Sequence, residues 1–151
     1  MEAKSKREIL AESPLFHNVL PDELSLLADL VTMQEYRAGD IVFNQGDVGD
    51  SVFVLAEGAI EILQKTATGA PYTVATLTPP AFFGEMSLLD KETRSATVRA
   101  ANDTTLLQLT NDNLRVFAKN FRNGFTWIVV NIARMLSARL RETNKRLATK
   151  M

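Results

Sequence analysis

The chain has 151 residues, of which 46% are hydrophobic and 23% charged, so one globular domain with a buried core is expected. It contains no cysteine and a single histidine, His17, which excludes disulfides, thiol catalysis and cysteine or multi-histidine metal sites. The net charge of −1 is uneven, because residues 112–151 carry +7 and residues 1–111 carry −8. A basic tail can bind nucleic acid or anionic membranes, but the dispersed bases here favour a solvent-exposed helix face.

The N-terminal part, residues 1–32, is predicted to be helical. Residues 1–12 favour a short amphipathic helix that Pro14 ends. The run Pro21-Asp22-Glu23 then places proline at a first helical position and acids in a first turn. The first ten residues, MEAKSKREIL, lack the apolar core of a signal peptide, and no apolar run reaches membrane-spanning length. A cytoplasmic location is therefore expected.

The middle of the chain, residues 33–110, has the sequence pattern of a β domain. Short β-branched and aromatic runs alternate with glycine-containing turns, which predicts a small antiparallel barrel or jelly roll. Gly39-Asp40, Gly46-Asp47 and Gly49-Asp50 are expected to be turns. The predicted strands are Ile41–Phe43, Ser51–Leu55, Ala59–Leu63, Tyr72–Leu77, Ser95–Ala100 and Thr104–Leu109.

The last part, residues 111–151, is predicted to hold two helices. Thr110 or Asn111 can cap the first, and the second should run over residues 125–147. Apolar side chains recur on this second helix every three or four residues, a stripe as wide as a coiled-coil seam. The stripe consists of Phe125, Val129, Ile132, Leu136, Leu140 and Leu147, with Thr143 in the same seam. It could pack on the chain's own barrel, but its length favours a homodimer.

The segment 82–97 carries the residues with distinctive chemistry. Gly84 permits close approach of a ligand to the backbone, and Met86 to Leu89 resemble one helical turn whose N–H groups can bind an anion. Arg94 offers the planar fork that suits a phosphate, and an ionised Glu85 can accept hydrogen bonds from a sugar hydroxyl. A phosphorylated ribose fits this set, whereas the simpler interpretation is an ion pair between Glu85 and Arg94 on a turn.

The segment resembles the phosphate-binding cassette of the cyclic nucleotide-binding domain family, whose pattern is roughly Phe-Gly-Glu-x-x-Leu followed by Arg-[Ser/Ala]-Ala-Thr. Here the matching runs are Phe83-Gly84-Glu85-Met86-Ser87-Leu88 and Arg94-Ser95-Ala96-Thr97. The likeness continues upstream through Tyr36–Phe43, Gln45-Gly46-Asp47 and Phe53-Val54-Leu55. It implies a mainly β fold, an eight-stranded antiparallel β-roll with flanking helices and a long C-terminal helix.

The resemblance also implies roles for individual residues. Arg94 and Ser95 would hold the cyclic phosphate, Glu85 would take the ribose 2′-hydroxyl, and Ser87 would permit close approach. Val74 and Ala75, on the strand before the cassette, would lie against the base. The full set of implied ligand-binding residues is Gly84, Glu85, Met86, Ser87, Arg94, Ser95, Ala96, Val74, Ala75, Thr143 and Asn144.

The last two of these come from the C-terminal helix. Its run Leu136–Lys145 is similar to the helix of bacterial cyclic-AMP-dependent transcription activators, where a Thr-Ser pair reads the adenine from both subunits. The matching pair here is Thr143-Asn144. If this helix closes over the pocket, Arg139 can reach Glu85 or the ligand. One departure from the family is Pro80-Ala81, which stands where Gly-Asp is usual.

The sequence therefore predicts a cytoplasmic, non-enzymatic sensory module that binds cyclic AMP or a related cyclic nucleotide, without a metal or cofactor. The module would act through contacts with an unidentified protein effector. Because no helix-turn-helix follows the long helix, DNA binding is not expected, and neither is membrane binding. Two alternatives remain open. One is a ligand-free scaffold that keeps the fold for protein interaction, and the other is a transcription regulator cut short before its DNA reader.

Overall fold

The computed structural model describes residues 4–89 and 93–150, and its N-terminal segment consists of short helices. Helix α1 (Lys6–Glu12) is followed by a 3-10 turn (Pro14–Phe16) and by α2 (Pro21–Leu30). A capping box starts α1, because the Ser5 hydroxyl accepts from the Glu8 N–H at 3.2 Å while the Glu8 carboxylate reaches back to Ser5.

Eight strands form two four-stranded antiparallel sheets, with the orders β1-β8-β3-β6 and β2-β7-β4-β5. This confirms the expected antiparallel β-roll. The two strands that the sequence runs did not single out, β1 and β6, each lie at the edge of the first sheet. The strand bounds are β1 (Thr32–Tyr36), β2 (Ile41–Phe43), β3 (Ser51–Glu57), β4 (Ile60–Lys65), β5 (Pro71–Leu77), β6 (Ala81–Phe83), β7 (Thr97–Ala100) and β8 (Thr104–Thr110).

Strand β3 is buried on both faces and joins the two hydrophobic cores. Val52 and Val54 pack into the core between the first sheet and the helices. Phe53 and Leu55, which point the other way along the strand, pack into the core between the two sheets. The Phe53 ring stacks on Phe83 of β6 with centroids 5.3 Å apart. This pairing fixes the end of β6, where segment 82–97 departs.

The prediction of a turn at Gly49-Asp50 is wrong. Gly46 has a φ of +92° and does form a turn, but Gly49 is not in the left-handed region. Gly49 is instead required for space, because a Cβ there would lie 2.9 Å from the Ser87 Cβ and 3.1 Å from the Arg94 Nε. The residue therefore belongs to the packing of segment 82–97.

Two helices follow the β-roll. The Thr110 hydroxyl accepts from the Asn113 N–H at 3.1 Å and so caps α4 (Asn111–Asn120). Helix α5 (Arg122–Lys150) begins three residues before the expected start and runs past the expected end. Its first half is packed on the N-terminal segment, with Ile128 and Ile132 each 1% exposed. Among the described residues, no helix combines the length and apolar character needed to cross a membrane.

Candidate functional site

The cassette connects β6 to β7, and its shape depends on one glycine. Gly84 has a φ of +80°, which L side chains rarely adopt. A Cβ at this position would also lie 2.8 Å from the Arg94 Nη1 and 3.2 Å from the Ser51 carbonyl oxygen. The short helix α3 (Met86–Leu89) follows, and residues 90–92 of the cassette lie outside the described residues. Gly84 therefore provides both the turn and the space for the arginine.

Arg94 is held in a fixed orientation at the base of the cassette. The residue is 8% exposed, and its guanidinium donates to the Gly84 carbonyl at 3.1 Å and to the Ser51 carbonyl at 2.9 Å. Its central carbon Cζ also lies 4.1 Å from the centroid of the Phe43 ring, a cation–π distance. A planar, permanently charged donor is therefore oriented before any ligand arrives.

Burial disfavours the charge that Arg94 carries. Desolvation lowers the pKa of its guanidinium, and the nearby carboxylates of Asp50, Asp47 and Glu85 raise that pKa without cancelling the effect. Because an arginine pKa lies so far above neutrality, the group stays positive. A buried cation bound to neutral carbonyl oxygens is well suited to an anion, since the anion would recover part of the desolvation cost.

Glu85 is the second charged group, and its partner comes from the C-terminal helix. Glu85 is 3% exposed, and its Oε1 accepts from the Arg139 Nη1 at 3.0 Å. The expected reach of Arg139 to Glu85 is thus confirmed. The simpler interpretation of a Glu85–Arg94 ion pair is wrong, because the salt bridges within residues 4–89 and 93–150 do not include it. Helix α5 is therefore attached to the cassette through a buried carboxylate.

The two charged residues line a single cavity of about 270 Å³. Arg94 and Glu85 thus face the same space, and Arg139 also lines it. Seven of the sequence-predicted residues line this cavity, namely Gly84, Glu85, Met86, Ser87, Arg94, Ser95 and Ala96. Ser87 is buried, and its hydroxyl lies 3.1 Å from the Ser51 carbonyl oxygen and 3.0 Å from that of Gly84. The cassette residues are brought together as the pattern predicted.

The other four predicted residues do not line this cavity in the single chain. Val74 is 54% exposed on the edge strand β5, and the β4–β5 register shifts at this point, so that Ile62 pairs with Ala75 and Leu63 with Thr73. Thr143 and Asn144 are exposed on α5, beyond Arg139. Their contacts with a base stay predictions.

Several cavity residues were not found from the sequence. Ile62 and Gln64 of β4 lie in the lining, as do Phe43 of β2 and Val98 of β7. The Gln64 Nε2 donates to the Ser95 carbonyl at 2.8 Å and so ties the cassette to the second sheet. The alternation along β4 could have shown that Ile62 and Gln64 share a face, but no signal indicated that this face looks onto the cassette.

A metal centre is not supported by the described part of the chain. Within it, no three His, Asp or Glu side chains are grouped as metal ligands would be. The arrangement offers a cation and a carboxylate for recognition of a ligand.

Comparisons with known proteins agree with this geometry. The model of the family "Cyclic nucleotide-binding domain" matches residues 33–121, from β1 to the end of α4. A cyclic AMP receptor protein of Thermus thermophilus is 35% identical over 135 residues, which are 89% of this chain and 61% of that protein. A cAMP-dependent protein kinase regulatory subunit of Mycosarcoma maydis is 33% identical over 148 residues, 95% of this chain and 27% of that protein.

A solved structure of a related protein has the same fold. The crystal structure of the Thermus thermophilus catabolite activator protein superposes with a TM-score of 0.79 at 34% identity, covering 90% of this chain and 62% of that one. The chain thus spans less than two thirds of the length of these relatives. Since the family model covers more than half of the chain, including the whole cassette, the chain belongs to the cyclic nucleotide-binding domain family.

Proposed function

We propose that this chain binds a cyclic nucleotide, with cyclic AMP as the first candidate, between the cassette and the β-roll. The observation that carries the proposal is the convergence of buried Arg94 and buried Glu85 on one cavity. The names of the Thermus thermophilus and Mycosarcoma maydis relatives, both of which refer to cyclic AMP, favour that nucleotide.

The cyclic phosphate would bind Arg94. Its guanidinium is already oriented by the carbonyls of Ser51 and Gly84 and by the Phe43 ring, so little conformational entropy is lost on binding. The phosphate would accept charge-assisted hydrogen bonds, which are about twice as strong as neutral ones. Ser95, which lines the same cavity, would add a hydroxyl donor.

The ribose would bind Glu85, whose ionised carboxylate accepts a hydrogen bond from the 2′-hydroxyl. The same carboxylate holds Arg139 at 3.0 Å, so a bound sugar and helix α5 would share one acceptor. Because an α-helix rises 1.5 Å per residue, Thr143 lies about 6 Å farther along α5 than Arg139 and on nearly the same face. A base extending outward from the ribose would approach Thr143 and Asn144 once α5 is closed over it.

Exposed apolar side chains along one face of α5 support a homodimer as part of this proposal. Val129, Leu140 and Leu147 are 39%, 62% and 56% exposed, although they share the apolar stripe of the helix. Two parallel copies of the stripe would bury these side chains in a coiled-coil seam. The output of such a sensory module would be contact with an effector protein, and the module would shift that contact only if the nucleotide favours one position of α5. We assign it no enzymatic activity.

Isothermal titration calorimetry with cyclic AMP and cyclic GMP tests the proposal. We expect saturable binding of at least one nucleotide and a loss of roughly 100-fold in affinity in Arg94→Gln, because two charge-assisted hydrogen bonds disappear. Arg99→Gln is the matched control, since Arg99 pairs with Glu61 on the neighbouring strand and does not line the cavity. Thermal melts would show that both variants fold. No heat with either nucleotide at millimolar concentration, or equal affinity in the two variants, would contradict the proposal.

A further inference from the structure

A second cavity of about 670 Å³ adjoins the first and shares Arg139 with it. Its walls come from three segments that are distant in sequence: residues 11–17, the ends of β5 and β6, and residues 131–139 of α5. The volume lies in the range of small-molecule sites, which are roughly 300–1,000 Å³. None of the residues assigned to the nucleotide lines this cavity, and the shared residue Arg139 is the partner of Glu85.

The lining combines an apolar surface with two arginines. Phe82 and Leu77 come from the roll, and Met135 from α5. The cations are Arg139 and Arg134, whose guanidinium lies 5.6 Å from the Trp127 ring centroid. Together these residues would contact both an apolar body and an anionic head.

One acid also lines the cavity, and its charge is already offset. Glu12 forms a salt bridge of 2.7 Å with Lys4, and the two side chains are 52% and 57% exposed. The Asn131 side chain adds no charge, since its amide nitrogen donates to the carbonyls of Leu15 and His17 at 2.9 Å each. Arg139 is likewise paired with Glu85 at 3.0 Å, so Arg134 is the lining cation that forms no salt bridge among the described residues.

We propose that this cavity is a second binding site, for a small amphipathic carboxylate with an aliphatic or aromatic body. The carboxylate would bind Arg134 and Arg139, and the apolar body would cover Phe82, Leu77 and Met135. A ligand that draws Arg139 away from Glu85 weakens the attachment of α5 to the cassette. This consequence for the nucleotide rests on the function proposed above, whereas the site itself does not.

Octanoate is the probe, and its neutral analogue octanamide is the chemical control. Calorimetry should show octanoate binding at least tenfold tighter than octanamide, and Arg134→Gln should weaken octanoate about tenfold, as expected for loss of one charge-assisted hydrogen bond. Arg141→Gln is the matched control, because Arg141 is an exposed arginine of α5 that does not line this cavity. Ala11→Phe, which introduces a ring at the wall, should abolish binding of octanoate and spare that of cyclic AMP.

Fluorescence of Trp127, the chain's single tryptophan, reports where octanoate binds, since Arg134 lies over its ring. We expect the Trp127 fluorescence of the unmodified protein to change saturably with octanoate concentration. The midpoint of this change should equal the dissociation constant measured by calorimetry. Equal binding of octanoate and octanamide, equal affinity in Arg134→Gln and Arg141→Gln, or no saturable signal would overturn the site.

The sharing of Arg139 has its own test. At saturating octanoate, the affinity for cyclic AMP should fall, and by reciprocity saturating cyclic AMP should weaken octanoate by the same factor. An unchanged affinity would overturn the shared role of Arg139. A protein that binds octanoate as described but gives no heat with either nucleotide would contradict the proposed function and leave the second site supported.

Discussion

The salt bridge between Glu85 and Arg139 is the contact through which the cassette holds helix α5, and it can be removed cleanly. Arg139→Gln keeps the length and polarity of the side chain but removes its charge. Glu85 would then be a carboxylate with a 4% exposed side chain and no cation at 3.0 Å. We expect this variant to be less stable and to hold α5 less tightly.

The structure places the size of the effect between two known limits. Exposed ion pairs contribute about 0–1 kcal/mol, and breaking a fully buried pair costs about 3–5 kcal/mol. Here Glu85 is buried, but the Arg139 side chain is 51% exposed, so that solvent screens part of the attraction. An interaction energy of about 1–2 kcal/mol is therefore expected.

A double-mutant cycle measures this energy. Urea unfolding of the unmodified chain, Glu85→Gln, Arg139→Gln and the double variant gives the four free energies of unfolding, whose combination isolates the pair. The pair Glu142–Arg146 is the matched control on the same helix, because its atoms are 3.7 Å apart and its side chains are 60% and 75% exposed. That cycle should give an interaction energy below about 0.5 kcal/mol.

Equal interaction energies in the two cycles would refute the argument that Glu85 holds α5. So would a cycle at Glu85 and Arg139 that gives zero within error while both single variants remain folded. In either case α5 would be held by its other contacts, such as its apolar packing and the hydrogen bonds of Asn131, and closure of this helix could not depend on the carboxylate.

Three further predictions concern the turn, the seam and the pH dependence. Gly84→Ala should lower the free energy of unfolding by more than Gly69→Ala, because both glycines have φ near +90° but an added Cβ meets other atoms only at Gly84. Urea unfolding should show a difference of at least about 1 kcal/mol between the two variants. Equal losses of stability would contradict the close contact of Gly84 with the cassette. Leu140→Glu should give a monomer in sedimentation equilibrium under conditions where the unmodified chain is a dimer. A molecular mass equal to that of the unmodified dimer would show that Leu140 is not part of the dimer seam. Burial, with a smaller contribution from Asp40, raises the pKa of Tyr36, so the folded state keeps its phenol proton longer than the unfolded state and stability should fall as pH rises above about 10. Tyr36→Phe should show a smaller fall in a series of urea titrations, and the same slope in both proteins would contradict the assignment.

The cassette was predictable because its chemistry is local. Gly84, Glu85 and Arg94 lie within eleven residues, so that a short run of sequence contains all three and carries the family resemblance. The glycine turn at Gly46 is equally local, since only a residue without a Cβ adopts its φ cheaply. The Gly49-Asp50 turn was wrong for the opposite reason, because this glycine is required by its distance from Ser87, which lies far along the chain.

The amino-acid sequence by itself predicted an antiparallel β domain between helices, because alternation, capping and glycine bends act over a few neighbouring positions, and the family resemblance of segment 82–97 implied the β-roll and the roles of the cassette residues. Only the tertiary structure decided which carboxylate pairs with which arginine. Glu85 has Arg94 nine residues away, yet it is bound by Arg139, 54 residues away, because the packing of α5 brings that guanidinium to the cassette. Contacts of this kind depend on the position of a whole helix, and no local pattern encodes that position.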